Sequence, residues 1–231
     1  MPKLSKRRRA NEEMRPEEAL EPASAIATLK KFKAPKFDQS VEVCMTLDLD
    51  TKQADQALRG SVSLPKGIGK SKRVVAFCQS DVVPKALEAG AVKAGGEDLV
   101  AEIEGGWMDF DVAVASPDMM RVISKLGRVL GPKGLMPSPK AGTVNPNVAQ
   151  AVKEYAAGKV EYRADKGGNI QAIIGKMSFP EGDLLENYEH FIAVIEKAKP
   201  SSVKGQFVKK VTLSGTMTPG VRVKLAQVAA Q

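Results

Sequence analysis

Two kinds of apolar pattern in one chain restrict its fold more than any single residue does. Residues 41–50, VEVCMTLDLD, alternate strictly, with Val41, Val43, Met45, Leu47 and Leu49 on one side and Glu42, Cys44, Thr46, Asp48 and Asp50 on the other. A strand with that period of two hides one face and wets the other. Residues 72–78 (KRVVAFC) and 109–117 (DFDVAVASP) carry continuous apolar runs instead, as strands buried on both faces of a parallel sheet do. One sheet cannot satisfy both patterns, so the chain needs two.

The middle of the chain surrounds its buried strands with helices. DVVPKALEAGA (81–91) reads as a short helix, and AVKAGGEDLVAEIEGG (91–106) as a brief strand, a glycine pair and a second helix. PDMMRVISKLGRVLG (117–131) opens a helix at Pro117 and Asp118, and NPNVAQAVKEYAAGK (145–159) opens another with Asn145 as N-cap, Pro146 at the first helical position and Gly158 as its stop. Strands alternating with helices imply a doubly wound parallel sheet.

The flanks read differently. RGSVSLP (59–65), QFVKKVTLSG (206–215) and GVRVKL (220–225) are strands, and GKVEYRADKGGNIQAIIGKMSF (158–179) is two strands joined by a turn at Lys166–Asn169. A helix over 181–200 aligns Leu184, Leu185, Tyr188, Phe191, Ile192 and Ile195. Neither flank can close a core alone. The fold expected is therefore a two-domain α/β one. A discontinuous α+β domain (1–67 and 159–231), an antiparallel sheet with helices, is interrupted by an inserted doubly wound α/β domain (68–158). The crossings LPKGIGK (64–70) and AAGKV (156–160) are expected as side-by-side hinge strands.

Charge and composition narrow the function. The 231 residues carry a formal charge of +8. Basic and acidic side chains number 13 and 10 over residues 1–67, 11 and 10 over 68–158, and 11 and 7 over 159–231, so the surplus sits at the two ends. That distribution points to a polyanion, most commonly a nucleic acid. No apolar run approaches a bilayer's thickness, and the basic start has no apolar stretch behind it, so neither membrane nor secretory signal is expected. Cys44 and Cys78 share no ligand spacing with His190; core thiols in a reducing compartment are expected, with no metal and no cofactor.

Catalytic readings fail on spacing. LPKGIGKS (64–71) ends like a phosphate loop, but Leu64 stands where the first glycine is required and a strand follows where a helix is needed. Gly95–Gly96 lacks the third glycine of a dinucleotide loop. His190, beside Tyr188 and Phe191, reads as structural, and Asp109 and Asp111 lead into a buried strand instead of pairing on one face. An enzyme is not expected.

Two surfaces remain. Between Asp118 and Glu154 the chain has no acid but has Arg121, Lys125, Arg128, Lys133, Lys140 and Lys153. Within this stretch GRVLGPKGLMPSPKAGT (127–143) combines glycines that let backbone approach a phosphate with prolines expected to hold the loop extended. Arg128, Lys133 and Lys140 there form a candidate basic surface, for a polyanion or for a docked protein. The second surface joins KFDQSVEV (36–43) to LSGTMTPGVRV (213–223). Phe37 can stack on a base or sit in the core, and the residues alone leave both open. Lys36 and Arg222 can reach phosphates, and Ser40, Ser214 and Thr216 offer hydroxyls to sugar oxygens, including the 2′-OH that marks RNA.

KLGRVLGPKGLMPSPKAGTV, LRGSVSLPKG, GWMDFDVAVASPDMM, KFDQSVEV and YRADKGGNI…IGKMSF together closely resemble the bacterial ribosomal L-one family, proteins of the mobile stalk of the large subunit. The resemblance implies two domains joined by a hinge, the first binding a helical junction in large-subunit ribosomal RNA. It implies that the same surface binds a similar fold in the family's own messenger RNA and represses translation. It further implies a cytoplasmic protein, one copy in each ribosome, whose stalk aids release of deacylated tRNA at the exit site. The family's RNA-contact positions fall on Lys36, Phe37, Ser40, Glu42, Lys166, Ser214, Thr216 and Met217. This chain departs from the family at Thr218, where glycine is usual, and at Ser40, where threonine is common. Preceding Pro219, Thr218 is expected to be extended, with its side chain passing or bonding the RNA.

Overall fold

The computed structural model describes residues 4–50, 53 and 56–225. Helices α1 (Lys6–Glu13) and α2 (Pro22–Lys31) precede strands β1 (Ser40–Leu47) and β2 (Arg59–Val62). Next come β3 (Val74–Phe77), α3 (Val83–Glu88), β4 (Lys93–Gly95), α4 (Glu97–Glu104), β5 (Val112–Ala115), α5 (Met120–Ile123), α6 (Gly127–Leu130) and α7 (Val148–Ala156). The chain ends through β6 (Val160–Arg163), β7 (Asn169–Lys176), α8 (Glu181–Lys197), β8 (Val208–Gly215) and β9 (Val221–Val223). It divides into two compact units, Met1–Gly69 with Tyr162–Gln231, and Lys70–Glu161.

In the first unit β7, β1, β8 and β9 form one antiparallel sheet in that order. The alternation along β1 becomes burial of Val41, Val43, Met45 and Leu47, joined by Ile170, Ala172 and Ile174 of β7 and by Val211 and Leu213 of β8. Helices α2 and α8 bury Ile26, Leu29, Leu184, Tyr188, Phe191 and Ile195, supplying the apolar layer the sheet requires. Leu185 and Ile192, expected on that face, are only half-buried, because they lie on its flank, about 80–100° round the helix from Leu184, while a polar residue is buried on the other flank. Asn187 is fully buried; its side chain accepts from the Lys66 N–H (3.0 Å) and donates to the carbonyls of Gly67 (3.0 Å) and Ile174 (2.8 Å). A buried amide is tolerable only with its hydrogen bonds made, and this one fixes where the chain leaves the sheet.

The second unit holds the parallel sheet β4-β3-β5. Val75, Phe77, Ala113 and Ala115 face one apolar cluster with α4, α5 and α6, while Val74, Ala76, Val112 and Val114 face another with α3 and α7. Burial on both faces explains the uninterrupted apolar runs.

Several local expectations are corrected. Residues 64–70 are turns with Gly67 and Gly69 at positive φ, not a strand; the side-by-side pair is β2 with β6. The two strands after Gly158 do not fold onto each other, since β6 pairs with β2 and β7 with β1. The helix after the basic loop is capped by Asn147, whose side chain accepts from the Gln150 N–H (3.2 Å), while Asn145 accepts from the Asn147 N–H (2.9 Å). The stretch 117–130 breaks into short α and 3-10 pieces, in keeping with Gly127 inside it and with the Ser124 hydroxyl bonded back to the Arg121 carbonyl (2.6 Å). Cys78 is buried as expected, but Cys44 is half-buried on the polar side of β1. His190 is exposed rather than packed.

Candidate nucleic-acid interface

The face of the four-stranded sheet opposite α2 and α8 is polar and only partly buried. Its residues stand in cross-strand rows. Ile173, Glu42 and Ser214 form one, Gln171, Cys44, Thr212 and Arg222 the next, and Asn169, Thr46 and Lys210 a third. The period of two makes these rows obligatory once the other side of each strand enters the core. Burial raises the Cys44 thiol above its ordinary pKa, so it lies in the face as a neutral group.

At the end of this face where β1 begins, loops close into a fixed platform. The Thr216 hydroxyl accepts from the Ser40 N–H (3.2 Å) and donates to the Ser40 carbonyl (3.4 Å), while the Lys176 ammonium reaches the Ser40 hydroxyl (3.0 Å). Gln39, 1% exposed, accepts from the Met217 N–H through its side chain (2.9 Å) and from the Met177 N–H through its carbonyl (2.9 Å). Asp38 accepts from the Ser178 hydroxyl (2.8 Å) and N–H (3.2 Å). Above these bonds stand the two large apolar side chains of the platform, Phe37 (52% exposed) and Met217 (53%). Phe37 is therefore not core. Its ring forms one wall of a cleft of about 390 Å³ shared with Leu29, Phe32 and Met177.

The structure thus gathers Lys36, Phe37, Ser40, Glu42, Ser214, Thr216, Met217 and Thr218 at one end of the open face, with Arg222 on its edge strand. It does not bring Lys166 to them. That residue sits in the turn before β7, at the Leu47 end of β1, about 20 Å away by strand rise. The turn is held by Asp165, whose side chain accepts from the Gly167 and Asn169 N–H groups (2.8 Å each), bonds that lower its carboxyl pKa, the Asn169 backbone contributing most. Gly168 belongs there: its φ is +75°, and a Cβ would lie 3.0 Å from the Leu47 carbonyl oxygen.

Thr218 differs from the expectation in where its side chain goes. Its hydroxyl accepts from the Gly215 N–H (2.8 Å) and its own N–H donates to the Gly215 carbonyl (3.1 Å), so the side chain closes the 215–218 turn instead of pointing outward. Its φ is not positive, as a β-branched residue requires. Sequence reasoning missed Gln39, Asp38, Ser178 and Lys176. Only the alternation in NIQAIIGK gave any sign of the polar row on β7.

In the second unit Arg121, Lys125, Arg128, Lys133, Lys140 and Lys153 are all exposed. Among the described residues no acid forms an ion pair with any of them. The glycine- and proline-rich loop is not extended. It folds through turns closed by Gly134 N–H to Gly131 O (3.0 Å) and Leu135 N–H to Leu130 O (3.0 Å), and Leu135 and Met136 pack on the core. Buried Thr143 accepts from the Ser138 N–H (2.8 Å), and the buried Tyr155 hydroxyl donates to the Ala141 carbonyl (2.6 Å). The loop is compact and bonded at several points.

Enzymatic alternatives lose their geometry. Helix α4, after Gly95–Gly96, already has Glu97 and Asp98 in its first turn, which repel a phosphate there. Asp109 and Asp111 both pair with Arg73, and those hydrogen bonds hold the Asp111 carboxyl below its usual pKa.

A family model described as the ribosomal protein L1p/L10e family matches residues 29–219. The large ribosomal subunit protein uL1 of Neisseria gonorrhoeae (strain NCCP11945) is 53% identical over 204 residues, which cover 88% of each protein. The uL1 of Neisseria meningitidis serogroup C (strain 053442) shows the same identity and coverage. The chain belongs to the ribosomal protein L1p/L10e family.

Proposed function

We propose that this structural protein of the large ribosomal subunit, which is not an enzyme, seats on ribosomal RNA through the open sheet face and the Phe37–Met217 platform. The observation that carries the reading is the platform itself. Two exposed apolar side chains stand on a hydrogen-bonded loop platform, centred on buried Gln39, beside a row of hydroxyls and the Lys36 ammonium. Stacking surface, sugar-reading hydroxyls and cations are what RNA recognition combines. The same surface binds a similar fold in the protein's own messenger RNA and represses its translation. The exposed cations over 121–153 face deacylated tRNA at the exit site. The protein works as one copy in each cytoplasmic ribosome. The two compact units are domains in the full sense, an α+β domain built from both chain ends and a continuous α/β domain that folds by itself.

Filter binding to large-subunit ribosomal RNA fragments over a range of salt tests the main reading. Affinity is expected to fall linearly in log–log form, with a slope near 0.9 for each duplex phosphate neutralised. A salt-independent affinity points instead to a protein-docking surface. Excision of residues 70–161 tests the domains: the remainder is expected to unfold cooperatively and keep its RNA binding. A non-cooperative melt by circular dichroism rejects the division.

A further inference from the structure

Helix α1, KRRRANEE, carries its charges in the wrong order for a helix. Lys6, Arg7 and Arg8 occupy the first turn and Arg9 follows, while Glu12 and Glu13 close the last. The macrodipole favours the reverse order, as α8 shows with Glu181 and Asp183 at its start and Lys197 at its end. Ser5, whose side chain accepts from the Arg8 N–H (3.3 Å), offsets this arrangement locally. Glu12 is held by Arg8 and Arg15 (4.0 and 3.6 Å), and among the described residues no ion pair neutralises Lys6, Arg7 or Arg9.

The helix is also fixed in place. Asn11 is fully buried, donating to the Lys33 carbonyl (3.2 Å) and accepting from the Lys33 N–H (2.8 Å). That two-way bond docks α1 on the segment that runs from Lys31 through Lys33 to Lys36 and Phe37, where those three lysines are exposed. Two basic stretches, distant in sequence, thereby form one ridge that leads to the platform. Among the described residues no acid pairs with Lys6, Arg7 or Arg9 near the start of α1, and a polyanion laid along the ridge neutralises them.

We propose that α1 together with residues 31–36 is a phosphate-binding ridge that holds the RNA backbone without reading its bases, which rests on the RNA-binding reading above. The ridge extends the platform, so that the RNA gripped at Phe37 and Met217 runs on past Asn11. The role is positioning and affinity, because side chains of this kind contact phosphates and discriminate sequence weakly.

The test is the full-length Lys6→Gln/Arg7→Gln/Arg9→Gln variant, titrated with a large-subunit ribosomal RNA fragment and an unrelated RNA at several salt concentrations. The salt slope is expected to become shallower by about two to three, with at least roughly tenfold weaker binding at low salt. The preference for the cognate fragment stays unchanged. The melting temperature without RNA is expected to hold or rise, since the removed cations opposed the helix dipole. Lys6→Arg/Arg7→Lys/Arg9→Lys, which keeps the charges, should restore the slope. A wild-type slope and affinity in the glutamine variant, with Phe37→Ala still weakening binding, overturns the ridge and leaves the platform standing. Absence of saturable RNA binding by the unaltered protein overturns both.

Discussion

The platform of the first unit and the basic surface of the second show opposite ways of meeting a polyanion. At the platform nearly every polar group is already bonded to another: Thr216 to Ser40, Ser40 to Lys176, Gln39 to Met217, Asp38 to Ser178. Over 121–153 the cations stand in solvent without ion pairs among the described residues, and it is the backbone beneath them that is pinned. A bonded platform presents one shape and loses little entropy when an RNA docks, so it can discriminate. A field of exposed lysines and arginines attracts charge and selects little. The first unit joins a fixed shape to its charge, and the second offers charge on a pinned backbone.

The comparison breaks most visibly at Gln39. Gln39→Leu leaves the Met217 N–H without its partner, which should destabilise the first unit by about 1–3 kcal/mol. RNA affinity should fall more than roughly tenfold, above about 1.4 kcal/mol, with the salt slope unchanged. Denaturant unfolding and filter binding read both effects. Phe37→Ala comes next. The exposed ring should take about 1–3 kcal/mol of binding with it, while stability moves by less than about 0.5 kcal/mol. Loss of stability matching the loss of binding would show that the ring serves packing after all.

Smaller effects sharpen the contrast. Arg128→Gln/Lys133→Gln/Lys140→Gln should leave binding of a ribosomal RNA fragment within about twofold, well under about 1 kcal/mol. Its salt slope for deacylated tRNA should be shallower by about two to three, at roughly 0.9 for each duplex phosphate no longer neutralised. Equal weakening toward both RNAs means the two units share a single interface. Thr218→Gly removes the bond to the Gly215 N–H, costing about 0.5–1.5 kcal/mol of stability. Its RNA affinity should change less than that of Thr216→Val, which breaks the bridge to Ser40. The slightest effect is electrostatic. Hydrogen bonds from Arg73 lower the folded-state pKa of Asp111, so its contribution is present above the usual carboxylate range and fades as pH falls through the lowered value. Asp111→Asn should flatten the acid limb of the second unit's stability–pH profile slightly, the pair being partly in solvent.

Much of this was readable from residue order. The alternation at 41–49 and the apolar runs at 74–77 and 112–115 are local patterns, and each became the sheet its period demands. What escaped were buried polar residues whose partners lie far along the chain. Asn187 acts on Lys66 across 121 positions and Gln39 on Met217 across 178, and no local pattern separates such residues from solvent-facing ones. The basic loop misled for a related reason. Its prolines suggested an extended run, whereas Leu135 and Met136 had a core to reach and drew the loop down onto it. For the platform, the residues themselves marked 36–43 and 213–223 as a candidate surface and the family resemblance added Glu42 and Met217, whereas buried Gln39 beneath them gave no sign.

The order in which strands pair carries a consequence for the time of synthesis. Strand β1 takes β7 and β8 as its neighbours, so Ser40 must wait for Lys176 to be made before its first ladder can close. At about 5–20 residues per second that delay is on the order of ten seconds. Meanwhile every residue from Lys70 to Glu161 leaves the translating ribosome in one continuous piece, able to meet its own partners without waiting. For that interval VEVCMTL is a nascent strand with an apolar side and two unpaired edges, the type of segment that seeks another chain. Folding aids engaging the nascent protein should therefore dwell on β1, and let go once β8 emerges.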